Sequence, residues 1–92
     1  MGGRDVAPVA YLHKLIDTPV IDMCKTGQNI AYYRKEQGLS VKDLQNIFGF
    51  TTPNAIYKWQ KGKSIPTVDN MIILSALFKV SLDDIIAIQK NI

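Results

Sequence analysis

Between Ser40 and Gly62 the chain reads SVKDLQNIFGFTTPNAIYKWQKG, two short helix-forming stretches set against one glycine turn. Ser40 has a hydroxyl to cap the first stretch, and Asp43 stands three residues later beside the exposed N-terminal amides. That is a capping-box pattern with Asp in place of the usual Glu or Gln. Leu44, Ile47 and Phe48 form the apolar stripe, and Gly49 can take the left-handed conformation that stops the helix. A second start follows at once. Thr51 or Thr52 caps it, Pro53 fills a first-turn position where a missing N–H costs nothing, and Gly62 closes it. Ile56 and Trp59, three apart, are expected to face inward. Helices this short bury too little to stand alone, so the rest of the chain must supply a core around them.

The outer side of the second helix, Pro53 to Lys61, carries Asn54, Tyr57, Lys58 and Lys61. A cationic helix bearing amide and hydroxyl groups is what a DNA major groove accepts. The stretch is therefore expected to be a helix-turn-helix with this as its recognition helix. A net charge of +3 matters here through its placement. From Leu44 to Val68 there are three lysines, Lys58, Lys61 and Lys63, and no acid, while the other 8 basic residues balance 8 acidic ones. All the formal excess falls on the second helix and the loop after it, an electrostatic footprint suited to a phosphate backbone. Cations that merely complement a helix C-terminal dipole are the plainer explanation; the lack of any intervening acid favours DNA.

The surrounding chain reads as helices too. One is expected from Thr26 or Gly27 to Gln37, with Ile30, Tyr33 and Gln37 inward and Tyr32, Lys35 and Glu36 outward. Thr67 caps another over Val68–Phe78, whose inward face is read as Val68, Met71, Ile72, Ser75 and Phe78, leaving Ile73 and Leu77 outside it. Ser81 and Asp84 repeat the capping-box spacing ahead of Leu82, Ile85 and Ile86, and Ile88 and Ile92 continue that apolar face. No stretch of useful length alternates with period 2, so the fold class is all-α. Residues 1–26 are read as an irregular N-terminal arm and 27–92 as the domain. Within the arm, Leu12, Leu15 and Ile16 can make one amphipathic turn, and residues 19–23 a short extended segment.

The spacing of NIAYYRKEQGLS, the FGF turn, AIYKWQKGKSIP and the closing SLDDII resembles the Cro/C1-type (XRE-like) helix-turn-helix family, over about Gly27 to Ile86. The resemblance implies a compact five-helix bundle, the lambda-repressor-like DNA-binding domain, acting on double-stranded operator DNA, commonly as a homodimer. By position it implies Thr52, Asn54, Tyr57 and Lys58 as base or groove contacts. Lys61, Lys63, Thr67 and Asn70 would hold phosphates, and the amide end at Ser40 and Val41 would meet another. Val41 replaces a common Gln, Gln45 replaces a small residue, and five residues separate Phe50 from Ile56 where four are usual. Where the family commonly pairs an Arg with a Glu across two helices, this chain has Arg34 and Gln60. Arg34 is expected to reach Gln60 or a nearby carbonyl, because a half-buried guanidinium without acceptors is costly.

The leading expectation is thus a sequence-specific DNA-binding transcriptional regulator. The alternative is a protein-interaction module on the same fold, such as an antitoxin or a regulatory subunit, with a protein as its partner. One histidine, one cysteine and no Gly-rich phosphate loop leave no catalytic constellation to assign, so no enzyme, cofactor or metal is expected. Asp83 and Asp84 are read as first-turn acids stabilised by a helix dipole. Cys24 alone forms no internal disulfide and fits a reducing cytoplasm, and no apolar run approaches a membrane span.

Overall fold

The computed structural model describes residues 19–89. Leu12, Leu15, Ile16, His13 and Ile92 lie outside the described residues. Five helices and one two-residue ribbon follow in order: β1 (Val20–Ile21), α1 (Met23–Glu36), α2 (Val41–Phe48), α3 (Asn54–Gln60), α4 (Val68–Phe78), α5 (Leu82–Ile85) and β2 (Ile88–Gln89). Among the described residues, Ile30, Leu44, Ile56, Trp59, Met71, Leu74, Phe78 and Ile85 form one core to which every helix contributes. Among the described residues no helix is long and apolar enough to cross a membrane.

The first helix begins four residues ahead of Gly27 because Asp22 caps it, accepting from the Lys25 amide at 3.0 Å. Gly27 therefore sits inside α1, where a glycine costs about 1 kcal/mol against alanine. The reason lies across the interface. A Cβ at Gly27 would come within 2.3 Å of the Trp59 carbonyl oxygen and 2.7 Å of that of Gln60. Only a bare Cα lets the backbones of α1 and α3 meet this closely. The contact continues at Gly62, whose φ of +73° turns the chain out of α3 against the backbone of Cys24.

Arg34 completes the junction. Its Nε donates to Gln60 Oε1 at 2.9 Å and its Nη1 to the Leu39 carbonyl at 2.8 Å. Gln60 is thus the acceptor expected for Arg34, and with a neutral amide in place of a carboxylate the bond stays charge-assisted because the donor is ionised. Arg34→Ala is expected to lower stability by about 1–3 kcal/mol, leaving two part-buried acceptors unmet and removing the side-chain stem. Gln60→Glu should be neutral or mildly stabilising. Urea melts of both variants check this pair, with an unchanged Arg34→Ala midpoint counting against the lock.

The capping boxes at Ser40/Asp43 and Ser81/Asp84 are both formed. Other assignments need correction. In α4 the buried residues are Met71, Leu74 and Phe78, while Val68 and Ile72 are exposed and Leu77 is half-buried against the core. Apolar residues surround this helix almost completely, so periodicity alone could not choose its inner side. In α2, Ile47 is exposed and Gln45 is buried in its stead. α5 stops at Ile85, and Ile88, read as continuing its apolar face, lies instead in β2 opposite Ile21.

That ribbon is antiparallel, with Val20 opposite Gln89. Two residues a side give it little strength of their own. α1 and its cap hold it. The Asp22 amide donates to the Ala87 carbonyl at 2.9 Å, and the Ala87 amide donates to the buried Thr26 Oγ1 at 2.9 Å. Asn29 Nδ2 donates to the Ile85 carbonyl at 3.0 Å and Gln37 Nε2 to that of Phe78 at 3.2 Å, closing the ends of α5 and α4. One helix thus anchors the C-terminal third of the fold.

Candidate nucleic-acid interface

α3 fixes its inner side through Ile56 and Trp59, both buried. At 100° per residue, Asn54, Tyr57, Lys58 and Lys61 then share the opposite side, and all four are exposed. The aromatic rings behind the turn set the helix in place. Phe48 and Phe50 stack with centroids 5.3 Å apart, and both meet Trp59 edge-on, at 5.5 and 5.9 Å. Such pairs contribute beyond their buried area.

Gln45 closes the first part of the turn. Its Nε2 donates to the Phe50 carbonyl at 3.2 Å, and the Phe50 amide donates to the Gln45 carbonyl at 3.0 Å. The same two residues thus exchange hydrogen bonds around Gly49, whose φ is +71°. Thr51 and Thr52 stand out from the surface, and the Asn54 amide donates weakly to Thr52 Oγ1 at 3.4 Å. Pro53 is the residue before α3, not its first-turn residue, so the helix starts at Asn54.

After α3 the chain folds back on itself. The Lys63 amide donates to the Lys58 carbonyl at 2.9 Å, and the Lys61 amide to that of Tyr57 at 3.0 Å. Lys58, Lys61 and Lys63 are all exposed around this helix end, where their charge also complements its dipole. The loop runs on through Ile65 and buried Pro66 to α4. Thr67, exposed, caps α4 by accepting from the amide of half-buried Asn70 at 3.3 Å.

The amide end of α2 is different from expectation in one respect. Ser40's own N–H donates to Asp43 Oδ2 at 2.8 Å, so that amide is engaged. This bond and the one from Asp43's N–H to Ser40 Oγ belong to the same box, and the first of them holds the Asp43 carboxyl below its usual value. The cap is therefore ionised at neutral pH; its contribution is full above the ordinary carboxylate value and is lost as pH falls from there through the lowered one. Val41 is half-buried, with its side chain against the core. Lys42, exposed beside it, was not singled out from sequence because it lies outside the acid-free run.

Among the described residues no group of His, Cys, Asp and Glu could hold a metal ion. The fold is shared with solved DNA-binding domains. The DNA-binding domain of BldD superposes with a TM-score of 0.60 at 18% identity, covering 71% of this chain and 93% of that one. The S. venezulae BldD DNA-binding domain gives 0.60 at 18%, over 71% and 96%. The restriction-modification controller protein C.AhdI from Aeromonas hydrophila gives 0.60 at 20%, over 70% and 96%. No curated protein matches the chain significantly. The Helix-turn-helix family model matches residues 30–85, from the middle of α1 to the end of α5. The chain belongs to the Cro/C1-type helix-turn-helix family of DNA-binding regulators.

Proposed function

We propose that the protein is a sequence-specific transcriptional regulator that lays α3 in the major groove of double-stranded DNA. The observation that carries this reading is the exposed side of α3. Asn54, Tyr57, Lys58 and Lys61 project together from a helix whose other side is locked in the core. Asn54 and Tyr57, with Thr52 just ahead, have the amide and hydroxyl groups that read base edges. Lys58 lies between these and the phosphate contacts. Lys61, Lys63 and Thr67 follow the backbone on one flank, with Asn70 behind them, and the Val41 amide with Lys42 does so on the other. The Ser40 contact would have to form through its hydroxyl, since its amide is spent within the cap.

Asn54→Ala is expected to relax preference at one or two base positions by about 1–3 kcal/mol of discrimination while leaving non-specific affinity nearly unchanged. Competition binding against single-base variants of a selected site measures it. Equal losses on every sequence would assign Asn54 to the backbone.

One recognition helix spans few base pairs, so specificity of this kind calls for two copies on a near-palindrome, with half-sites about 34–36 Å apart or a multiple of that. Ile73 and Ile88, at 42% and 54% exposure, are the apolar residues proposed for contact between copies. Half-buried Leu77 contributes less. Sedimentation should show a dimer on DNA, and a monomer at high concentration with and without DNA would end this part of the account. The same exposed isoleucines are what favours the second reading, a protein partner, which predicts DNA affinity no steeper in salt than for an uncharged surface.

A further inference from the structure

Gln45 is a polar side chain that the fold has buried, at 8% exposure within α2. An amide taken out of water is costly unless its groups are bonded. Its Nε2 lies 3.2 Å from the Phe50 carbonyl, and because a carbonyl can only accept, the nitrogen end of the amide must face it. Phe50 is thereby held on three sides. Its N–H donates to the Gln45 carbonyl at 3.0 Å, its C=O accepts from the Gln45 side chain, and its ring stacks on Phe48 and meets Trp59 edge-on. The residues that follow have far less to hold them. Thr51 and Thr52 are exposed, and the one hydrogen bond found for either among the described residues is the 3.4 Å contact of the Asn54 amide with Thr52 Oγ1.

We propose that Gln45 is a positioning residue for base recognition: by fixing the Phe50 carbonyl, it aims Thr52 and Asn54 at the bases they read. The inference rests on the DNA reading above and adds to it a residue that touches no DNA. A peptide unit is planar, and the described residues contain no cis bond. Fixing the Phe50 carbonyl therefore fixes the Thr51 nitrogen and the direction in which the chain leaves the turn. Three residues, Thr51 to Pro53, then bridge to Asn54, where α3 begins. The body of α3 is seated separately, by Ile56 and Trp59 in the core. A rotated Phe50–Thr51 plane thus acts first on Thr52, and on Asn54 through their shared contact, while Tyr57, Lys58 and Lys61 keep their places. Side chains that recognise a ligand must be held to within about 0.5 Å, so a small rotation is enough to matter.

The test is base preference, measured over all single-base variants of a selected site with Gln45→Met. Methionine keeps the length and bulk of the side chain and loses the donor. Thr52→Ala and Asn54→Ala define which base pairs those two residues read. At those base pairs Gln45→Met should relax preference by about fivefold or more. Preference elsewhere in the site, and the salt slope on random duplex, should stay as they were. Gln45→Met combined with Thr52→Ala should relax preference little further than Thr52→Ala alone, because both changes act on one contact. Gln45→Ala gives the same readings if Gln45→Met does not fold. A role in stability alone lowers Tm and leaves relative preferences intact, and that result overturns the proposal, as does an equal loss on every sequence. In the unmutated protein the Gln45 side-chain amide protons should exchange with solvent about tenfold or more slowly than those of exposed Asn46; equal rates overturn the proposal without any variant. An unmutated protein with no base preference overturns the DNA reading and the positioning role together, whereas preference retained in Gln45→Met overturns the positioning role alone.

Discussion

Gly27→Ala is expected to cost about 2 kcal/mol or more of folding free energy and to lower Tm by roughly 8–16 °C. The added methyl would lie 2.3 Å from the Trp59 carbonyl oxygen and 2.7 Å from that of Gln60. Both obstacles are backbone, so no side-chain rotation relieves them. The helices must part, and the Arg34 bonds to Gln60 and Leu39 must stretch with them. Overpacking costs about 1–3 kcal/mol and at times more, and a clash with backbone this close stands at or above the upper end, so that about 2 kcal/mol or more remains after roughly 1 kcal/mol of helix propensity is regained. Gly38→Ala is the matched control. Its Cβ meets nothing within 4 Å, and only the strain of φ +69° opposes it. Because α3 is seated on α1 at this point, the Gly27 variant should also lose sequence-specific DNA binding under conditions where it is still folded. Equal melting temperatures for the two alanine variants would show that the α1–α3 contact is looser than drawn.

Replacing Lys58, Lys61 and Lys63 together with alanine should reduce affinity for every duplex by roughly 10²–10³ at 0.1 M salt. Each phosphate contact contributes about 0.9 to the slope of log affinity against log salt, so the slope should flatten by about 2–3 units. The three ammonium groups are exposed on the surface, so the fold should barely respond. A dipole-complementing role predicts the reverse, a small loss of stability with DNA affinity untouched. Titrations across a salt series, paired with melts, separate the two cleanly. Lys42→Ala offers a finer comparison, since its contact would lie on the opposite flank of α3.

The parts of this architecture that could be read in advance are those set by neighbours in the chain. Ser40 with Asp43 and Ser81 with Asp84 form both reciprocal cap bonds, because a capping box needs only three residues of spacing. Ile56 and Trp59 bury as their spacing requires, and from that alone the outward side of α3 follows. The bond of Arg34 to Gln60, 26 residues away, was legible only through the family resemblance, which pairs an Arg with a Glu at those positions, together with the need of an ionised donor for an acceptor. What sequence reading missed depends on distant partners. Gln45 is a polar residue beside Leu44, and nothing local says that its amide turns inward to the Phe50 carbonyl. Gly27 looked like a helix start, and only the backbone of α3 explains its place in the middle of α1. Val20–Ile21 falls within the extended segment expected at 19–23, but its partner Ile88–Gln89, about 68 residues away, is too short for a period to show.

The site divides along the same line. Which side chains leave α3 outward is a matter of helical spacing, and all of Asn54, Tyr57, Lys58 and Lys61 are exposed where spacing put them. Where the helix begins depends on the turn. Pro53 stands at the cap, so the helix starts at Asn54 and leaves Thr51 and Thr52 before it. Base contacts near that end are thus set by turn geometry that no periodicity records.

Selection of bound duplexes from a random pool with the purified full chain tests the central claim most directly. The account predicts an enriched near-palindrome whose half-sites lie about 34–36 Å apart or a multiple of that, and whose enrichment weakens steeply as salt is raised. A selected pool with the same composition as the input, or retention indifferent to salt, would contradict the placement of α3 in a DNA groove.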